Sequence, residues 1–175
     1  MKSIILVGYM GSGKTTVGRQ LALALGRTFY DLDWYIEMRY HRSVAQLFQE
    51  RGEEGFREME RNMLHEAAEF EDIVLSCGGG TPCFFDNMDD IRSVGESVYL
   101  KATPETLYKH LLMAKIERPL LKGKSAEELI AYITEHLEQR EPFYQKARYT
   151  LDVNVLDDYD KISISVASLR SLLNL

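Results

Sequence analysis

The chain has 175 residues, of which 45 % are hydrophobic and 27 % charged, a composition that predicts one soluble domain with a sizeable core. Its formal net charge of −6 argues against general binding to nucleic acid or to an anionic membrane surface. No apolar run has the length of a membrane span or of a signal peptide, so we expect a cytoplasmic protein. Cys77 and Cys83 lack metal-ligand spacing, and we expect both to be free thiols.

The first predicted element is a buried strand over residues 4–7, followed at residues 8–15 by Gly-Tyr-Met-Gly-Ser-Gly-Lys-Thr. This segment matches G-x-x-x-x-G-K-[ST] in full, and a helix is predicted to follow over residues 16–25. A loop between a strand and a helix directs backbone N–H groups at an anion. Lys14 offers a charge to the outer phosphates, and Thr15 offers a hydroxyl to Mg²⁺. The motif therefore predicts binding of a nucleoside triphosphate.

A second strand is predicted over residues 28–32, with Asp31 and Asp33 at its end. Because residues two apart on a strand face the same side, both carboxylates can point into one cleft. One could hold Mg²⁺ through water, and the other could orient a substrate hydroxyl or take its proton. The alternative is that one aspartate, Asp33 in particular, caps the following helix, which would not exclude a catalytic role.

Three helices are predicted next, over residues 33–40, 44–50 and 53–69, and the third of them carries Arg57. A second arginine of interest, Arg140, lies much further along the chain. Guanidinium groups bind carboxylates through paired hydrogen bonds, so two such arginines would suit a small organic acid. The alternative is that both are ordinary surface residues.

A third strand, over residues 73–76, leads into Gly78, Gly79 and Gly80. Ordering a glycine costs roughly 0.5–1 kcal/mol relative to alanine, so something must require bare backbone here. The two explanations are close approach by a ligand and a tight turn before Pro82. The position at a strand end beside a phosphate loop favours the ligand.

The remaining predicted elements are two strands and three helices, over residues 97–101, 149–153, 104–114, 126–138 and 158–173. No linker or repeat divides the sequence, so residues 1–175 are predicted to form a single domain. Strands that alternate with helices predict a parallel sheet covered on both faces. In such sheets ligands bind beyond the carboxyl ends of the strands.

Residues 115–124 are basic, contain proline and glycine, and separate two predicted helices. We interpret the segment as a mobile lid, whose closure would bring Arg118 onto the transferring phosphoryl group and exclude water. Charge alone would also fit a solvated basic loop.

Taken together, these features resemble the shikimate kinase family, a nucleoside-monophosphate-kinase-like branch of the P-loop proteins. The resemblance extends nearly end to end and rests on an ordered set of motifs at residues 8–16, 31–33, 56–60, 78–80, 118–121 and 140–147. It implies a three-layer α/β/α fold whose five-stranded parallel sheet has the order 2-3-1-4-5. It also implies a helical substrate-binding region at about 33–62 and a lid at about 112–125.

The activity that the resemblance implies is transfer of the ATP γ-phosphoryl group to the 3-hydroxyl of shikimate, on the route to aromatic amino acids, by a monomer. The implied ATP-binding residues are Gly11, Ser12, Gly13, Lys14, Thr15, Thr16 and Arg118. The implied shikimate-binding residues are Asp33, Arg57, Gly79, Gly80 and Arg140. Thr15 and Asp31 resemble the Mg²⁺ contacts, and the catalytic set is Lys14, Asp33 and Arg118, with Asp33 as proton acceptor.

The chain departs from the family at one position. Members often carry an arginine before the lid that stacks on adenine, whereas this chain has Lys109 and His110 there. His110 is the candidate for the stacking role, together with a downstream loop near residues 154–157.

Three other activities are weighed against this one. A gluconate kinase shares the phosphate loop, but the Asp-x-Asp pair, the triple glycine and the paired arginines favour shikimate. A nucleotide kinase is disfavoured because the two aspartates would repel an acceptor phosphate. A non-catalytic ATP-binding module would be free to lose at least one member of the set Lys14, Asp31, Asp33 and Arg118, yet all are present.

Overall fold

The computed structural model describes residues 2–113, 125–154 and 159–175. The five strands in these ranges are β1 Ser3–Val7, β2 Thr28–Asp31, β3 Ile73–Ser76, β4 Gly95–Lys101 and β5 Tyr149–Asp152. The helices are α1 Lys14–Leu25, α2 Leu32–Tyr40, α3 Val44–Ala68, α4 Asn87–Val94, α5 Pro104–Met113, α6 Ala126–Tyr144 and α7 Tyr159–Leu172. In the described part of the chain, no helix is both long and apolar enough to cross a membrane.

The strands form one parallel sheet in the order β2-β3-β1-β4-β5, which confirms the predicted fold. The central strands β1, β3 and β4 are almost wholly buried, as expected for a parallel sheet with helices on both faces. Because all five strands run the same way, their carboxyl ends share one edge. The phosphate loop after β1, the aspartates after β2 and the glycines after β3 therefore lie at that edge.

Helix α3 contains two helical segments that meet at Gly52, in line with the separate helices predicted over residues 44–50 and 53–69. The backbone of Gly52 is non-helical, with φ 69° and ψ −178°, a conformation open to glycine and rarely adopted by other residues. The first segment begins with a capping box between Ser43 and Gln46.

One predicted helix end is corrected, and one helix is present that was not predicted. Helix α6 does not end at residue 138 but continues through Pro142 to Tyr144, whose side chain is completely buried. Burial of that large ring stabilises a last turn that the proline alone would weaken. Helix α4 was not predicted at all, because only Met88 and Ile91 mark its apolar face and so short a pattern gives little periodicity.

Candidate active site

A cavity of about 560 Å³ opens at the carboxyl edge of the sheet. Its walls come from the phosphate loop, from the ends of β2 and β3, and from helices α2 and α5. Several predicted site residues line it: Gly11, Gly13, Lys14, Thr15, Thr16, Asp31, Asp33 and Gly79. Trp34 lines it too, and this residue, the only tryptophan of the sequence, is 47 % exposed with the guanidinium of Arg19 lying 4.6 Å from its ring centroid.

The phosphate loop holds its lysine with its own backbone. The Lys14 ammonium donates to the carbonyl oxygens of Gly8 at 2.8 Å and Tyr9 at 2.9 Å. Within the described residues, the buried Ser12 hydroxyl has no hydrogen-bond partner. A buried, unpartnered hydroxyl in the loop that also holds a buried ammonium is a ready donor for a bound anion, because an unsatisfied polar group is costly to bury.

Asp31 and Asp33 play different structural parts. The Asp31 carboxylate caps α2 by accepting from the Asp33 backbone N–H at 3.1 Å, and it also accepts from the Thr15 hydroxyl at 2.8 Å. The suggestion that Asp33 is the cap is therefore wrong. The reasoning from strand alternation is also wrong for Asp33, because this residue lies in the first turn of α2 rather than on β2. Both carboxylates nevertheless line the same cavity.

The Asp33 carboxyl has an unusual acidity. Its burial raises its pKa from 3.8 to about 6, with further upward contributions from Asp31 and Glu60 and a lowering one from Lys14. A carboxylate with a pKa near 6 is ionised at neutral pH and is a stronger base than an ordinary aspartate. Asp33 is thus suited to accept a proton from a hydroxyl group.

Arg57 is buried against a carboxylate and an aromatic ring. Its Nη1 lies 2.8 Å from Oε2 of the buried Glu60, and its guanidinium lies 4.2 Å from the ring centroid of Phe84. The same group packs on Gly80, where an added Cβ would come within 2.5 Å of Nη2. At Gly80 the bare backbone therefore accommodates the protein's own arginine, a reason different from both a ligand and a tight turn.

Glu60 is the residue that sequence reasoning missed. It accepts from the Thr81 hydroxyl at 2.6 Å as well as from Arg57, so both of its carboxylate oxygens are bonded. An added Cβ at Gly78 would lie 3.2 Å from Glu60 Oε1 and 2.9 Å from Asp33 Oδ1. The spacing of three residues between Arg57 and Glu60 on a helix could have revealed the pair.

Arg140, from α6, reaches the loop of residues 78–80, here called the glycine loop, from another direction. Its guanidinium lies 5.7 Å from the ring centroid of Tyr9, and its Nη1 would lie 3.7 Å from a Cβ added at Gly79. Arg57 and Arg140 thus flank two adjacent glycines, Gly80 and Gly79, although they belong to different helices. Neither arginine lines the cavity directly, whereas Gly79 does.

A second cavity of about 350 Å³ adjoins the phosphate loop, and it is lined by Thr106, Lys109, His110, Leu112, Met113 and Asn154. His110 and Met113 line both cavities. The Nδ1 atom of His110 lies 2.7 Å from the Gly11 carbonyl oxygen, so Nδ1 must carry the hydrogen. Arg118, residues 114–124 of the predicted lid and residues 155–157 of the predicted adenine loop lie outside the described residues.

The sequence and the structure both match known shikimate kinases. The family model described as shikimate kinase matches residues 10–167. The chain is 57 % identical to a shikimate kinase of Parabacteroides distasonis, over 98 % of this chain and 100 % of that one. The structure superposes with a TM-score of 0.96 on a shikimate kinase of Bacteroides thetaiotaomicron, which is 51 % identical, with 99 % of each chain covered. An Acinetobacter baumannii shikimate kinase in complex with shikimate is 34 % identical, with a TM-score of 0.83 over 99 % of this chain and 94 % of that one.

Proposed function

This chain belongs to the shikimate kinase family, and from that premise we propose that it transfers the γ-phosphoryl group of ATP to the 3-hydroxyl of shikimate. The products are shikimate 3-phosphate and ADP. The observation that carries the proposal is the contact between the glycine loop and the phosphate loop. A Cβ added at Gly79 would lie 3.3 Å from the Met10 backbone nitrogen, so a small acid held at the one loop would adjoin a phosphate held at the other.

On the nucleotide side, the triphosphate binds the backbone and side chains of the phosphate loop. The proposed contacts are Gly11, Ser12, Gly13, Lys14, Thr15 and Thr16, joined by Arg118. The unpartnered Ser12 hydroxyl and the buried Lys14 ammonium support this assignment. The adenine is assigned to the second cavity, where His110 forms part of the wall next to the loop.

The pair Thr15 and Asp31 fits Mg²⁺, because a hydroxyl and a carboxylate 2.8 Å apart supply hard oxygen ligands at the cavity wall. Mg²⁺ commonly takes only one or two carboxylates and completes its shell with water and phosphate oxygens. When bound, the ion neutralises negative charge on the phosphates.

On the acceptor side, the guanidinium groups of Arg57 and Arg140 hold the shikimate carboxylate, and the backbone of Gly79 and Gly80 supports the ring. Asp33 orients the shikimate hydroxyls and accepts the proton of the 3-hydroxyl. The oxygen of that hydroxyl forms a bond to the γ-phosphorus of ATP while the bond from the γ-phosphorus to ADP breaks. Positioning and charge neutralisation are the main demands of this reaction. The pKa of Asp33, raised to about 6 chiefly by burial, supports its role as base.

We further propose that residues 1–175 act as a single domain and a cytoplasmic monomer, with a substrate-binding region at 33–62 and a lid at 112–125. Cys77 and Cys83 are both unpaired thiols, which supports a reducing compartment. Light scattering coupled to size exclusion tests the monomer, for which one peak at about the 20.1 kDa chain mass is expected.

A coupled ADP-release assay with ATP and Mg²⁺ tests the proposed function. Three reactions are compared, which contain shikimate, gluconate or no acceptor. ADP production is expected only in the reaction that contains shikimate. Faster turnover of gluconate would favour a gluconate kinase. Nucleotide binding without acceptor-dependent ADP production would favour a non-catalytic module and overturn the proposal.

A further inference from the structure

Tyr144 lies four residues after Arg140 on α6, and the mechanism proposed above gives it no role. Its side chain is completely buried, and its hydroxyl donates to the carbonyl oxygen of Gly79 at 2.5 Å. The Arg140 guanidinium reaches the same residue, since its Nη1 would lie 3.7 Å from a Cβ added at Gly79. Arg140 and Tyr144 therefore meet the glycine loop at the same residue, Gly79.

This arrangement follows from the helix. Residues four apart on a helix lie on the same face, so Arg140 and Tyr144 both project towards the glycine loop. The Tyr144 ring is fixed by packing on Tyr99, with the ring centroids 5.3 Å apart. Burial raises the pKa of Tyr144 far above its ordinary value, so the hydroxyl keeps its proton and remains a donor at physiological pH.

Fixing the Gly79 carbonyl also fixes the next backbone amide. The peptide unit is planar and trans, so the N–H of Gly80 points opposite to the C=O of Gly79. Cys83 adds a second, weaker donor, with its Sγ 4.0 Å from the Gly79 oxygen.

We propose that Tyr144 is a positioning residue for the acceptor, because it holds the Gly79 backbone in place beside the Arg140 guanidinium. The group that binds the carboxylate and the loop that supports the ring then keep one fixed spacing. The inference rests on the proposed function, since it takes shikimate as the acceptor.

The test is Tyr144→Phe with Tyr99→Phe as its matched control. Tyr99 is also buried, its ring packs on that of Tyr144, and its hydroxyl donates to Glu141 at 3.3 Å instead of to the glycine loop. In Tyr144→Phe we expect the KM for shikimate to rise about tenfold, with kcat and the KM for ATP within about twofold of the wild type. Tyr99→Phe is expected to change none of the three.

A merely structural role would lower the melting temperature of both variants and leave the shikimate KM unchanged, which would overturn the inference. An equal rise in the KM for ATP would also overturn it.

A double-mutant cycle with Arg140→Ala gives a second measurement that does not depend on the stability of one variant. In the Arg140→Ala background the effect of Tyr144→Phe is expected to shrink to about twofold, and full additivity would contradict a shared role. Absence of shikimate-dependent ADP release in the wild type would instead refute the proposed function, and this inference with it.

Discussion

Lys14 on the phosphate side and Arg57 on the acceptor side are both 8 % exposed cations, but different groups hold them. Lys14 donates to two carbonyl oxygens of its own loop, whereas Arg57 is paired with a buried carboxylate, Glu60, from its own helix. The difference teaches how each side should respond to substitution. Loss of Lys14 leaves two carbonyl oxygens without their donor and removes a charge that favours ionised Asp33. Loss of Arg57 leaves the Glu60 carboxylate buried without its hydrogen-bonded cation.

The largest expected effect tests the phosphate side. Lys14→Ala should lower kcat about a thousandfold, because the γ-phosphoryl group loses a charge that stabilises the transition state. The KM for shikimate and the melting temperature should stay close to those of the wild type. Steady-state kinetics and a thermal melt measure both. A large loss of stability in Lys14→Ala would contradict the expectation that only Arg57→Ala destabilises the fold.

The next effect tests Asp33 as the base. Asp33→Asn should lower kcat about a hundredfold at pH 8, since an amide cannot accept the proton. In the wild type, kcat/KM should fall tenfold per pH unit as the pH drops below about 6, because the carboxylate becomes protonated there. The residual activity of the variant should lack this acidic limb. A pH profile of both proteins measures it, and an unchanged limb in Asp33→Asn would exclude Asp33 as its source.

The third prediction separates binding from stability at Arg57. Arg57→Ala should raise the KM for shikimate strongly and lower the free energy of unfolding by about 3 kcal/mol, because Glu60 remains buried. Adding Glu60→Gln removes that charge and keeps an acceptor for Thr81. The double variant should regain most of the stability but not the shikimate affinity. Urea titrations and steady-state kinetics measure the two, and joint recovery would mean that Arg57 does not bind the acceptor.

The smallest effect concerns stability against pH. The pKa of Asp33 in the folded protein, about 6, lies above its unfolded value of 3.8, so the ionised carboxylate disfavours the folded state above pH 6. Asp33→Asn should therefore be more stable than the wild type by up to about 3 kcal/mol at pH 8. The gain should disappear below about pH 4, where the aspartate is protonated in both states. Denaturant unfolding at the two pH values measures it, and a gain independent of pH would have another cause.

The contrast between the phosphate side and the acceptor side also explains how much could be predicted from the sequence. The proposed phosphate contacts of residues 8–15 lie on one continuous stretch of backbone, so their spacing alone identifies them. The strand order was implied by family resemblance rather than by the strands themselves. The sequence left open that one aspartate, Asp33 in particular, caps α2, and the cap is Asp31. The difference arises because a helix start is uncertain by one or two residues in a sequence. Glu60 was missed since its importance comes from burial, and burial depends on contacts between elements distant in the chain.

Gly80 shows the limit of sequence reasoning most directly. Three consecutive glycines indicated that backbone without side chains is required at this place, but the reasons inferred from the sequence were only a ligand or a turn. The neighbour that takes the space is Arg57, which lies on a different element more than twenty residues earlier. Such a contact is visible only once α3 has been packed against the loop.

Trp34, at the wall of the cavity with Arg19 over its ring, has a practical consequence. Because the sequence contains no second tryptophan, the indole emission of the native protein comes from this one position. We expect its intensity or wavelength to change when a ligand displaces water beside the ring. Affinities for nucleotide and acceptor can then be titrated separately on the unlabelled protein, before any turnover takes place.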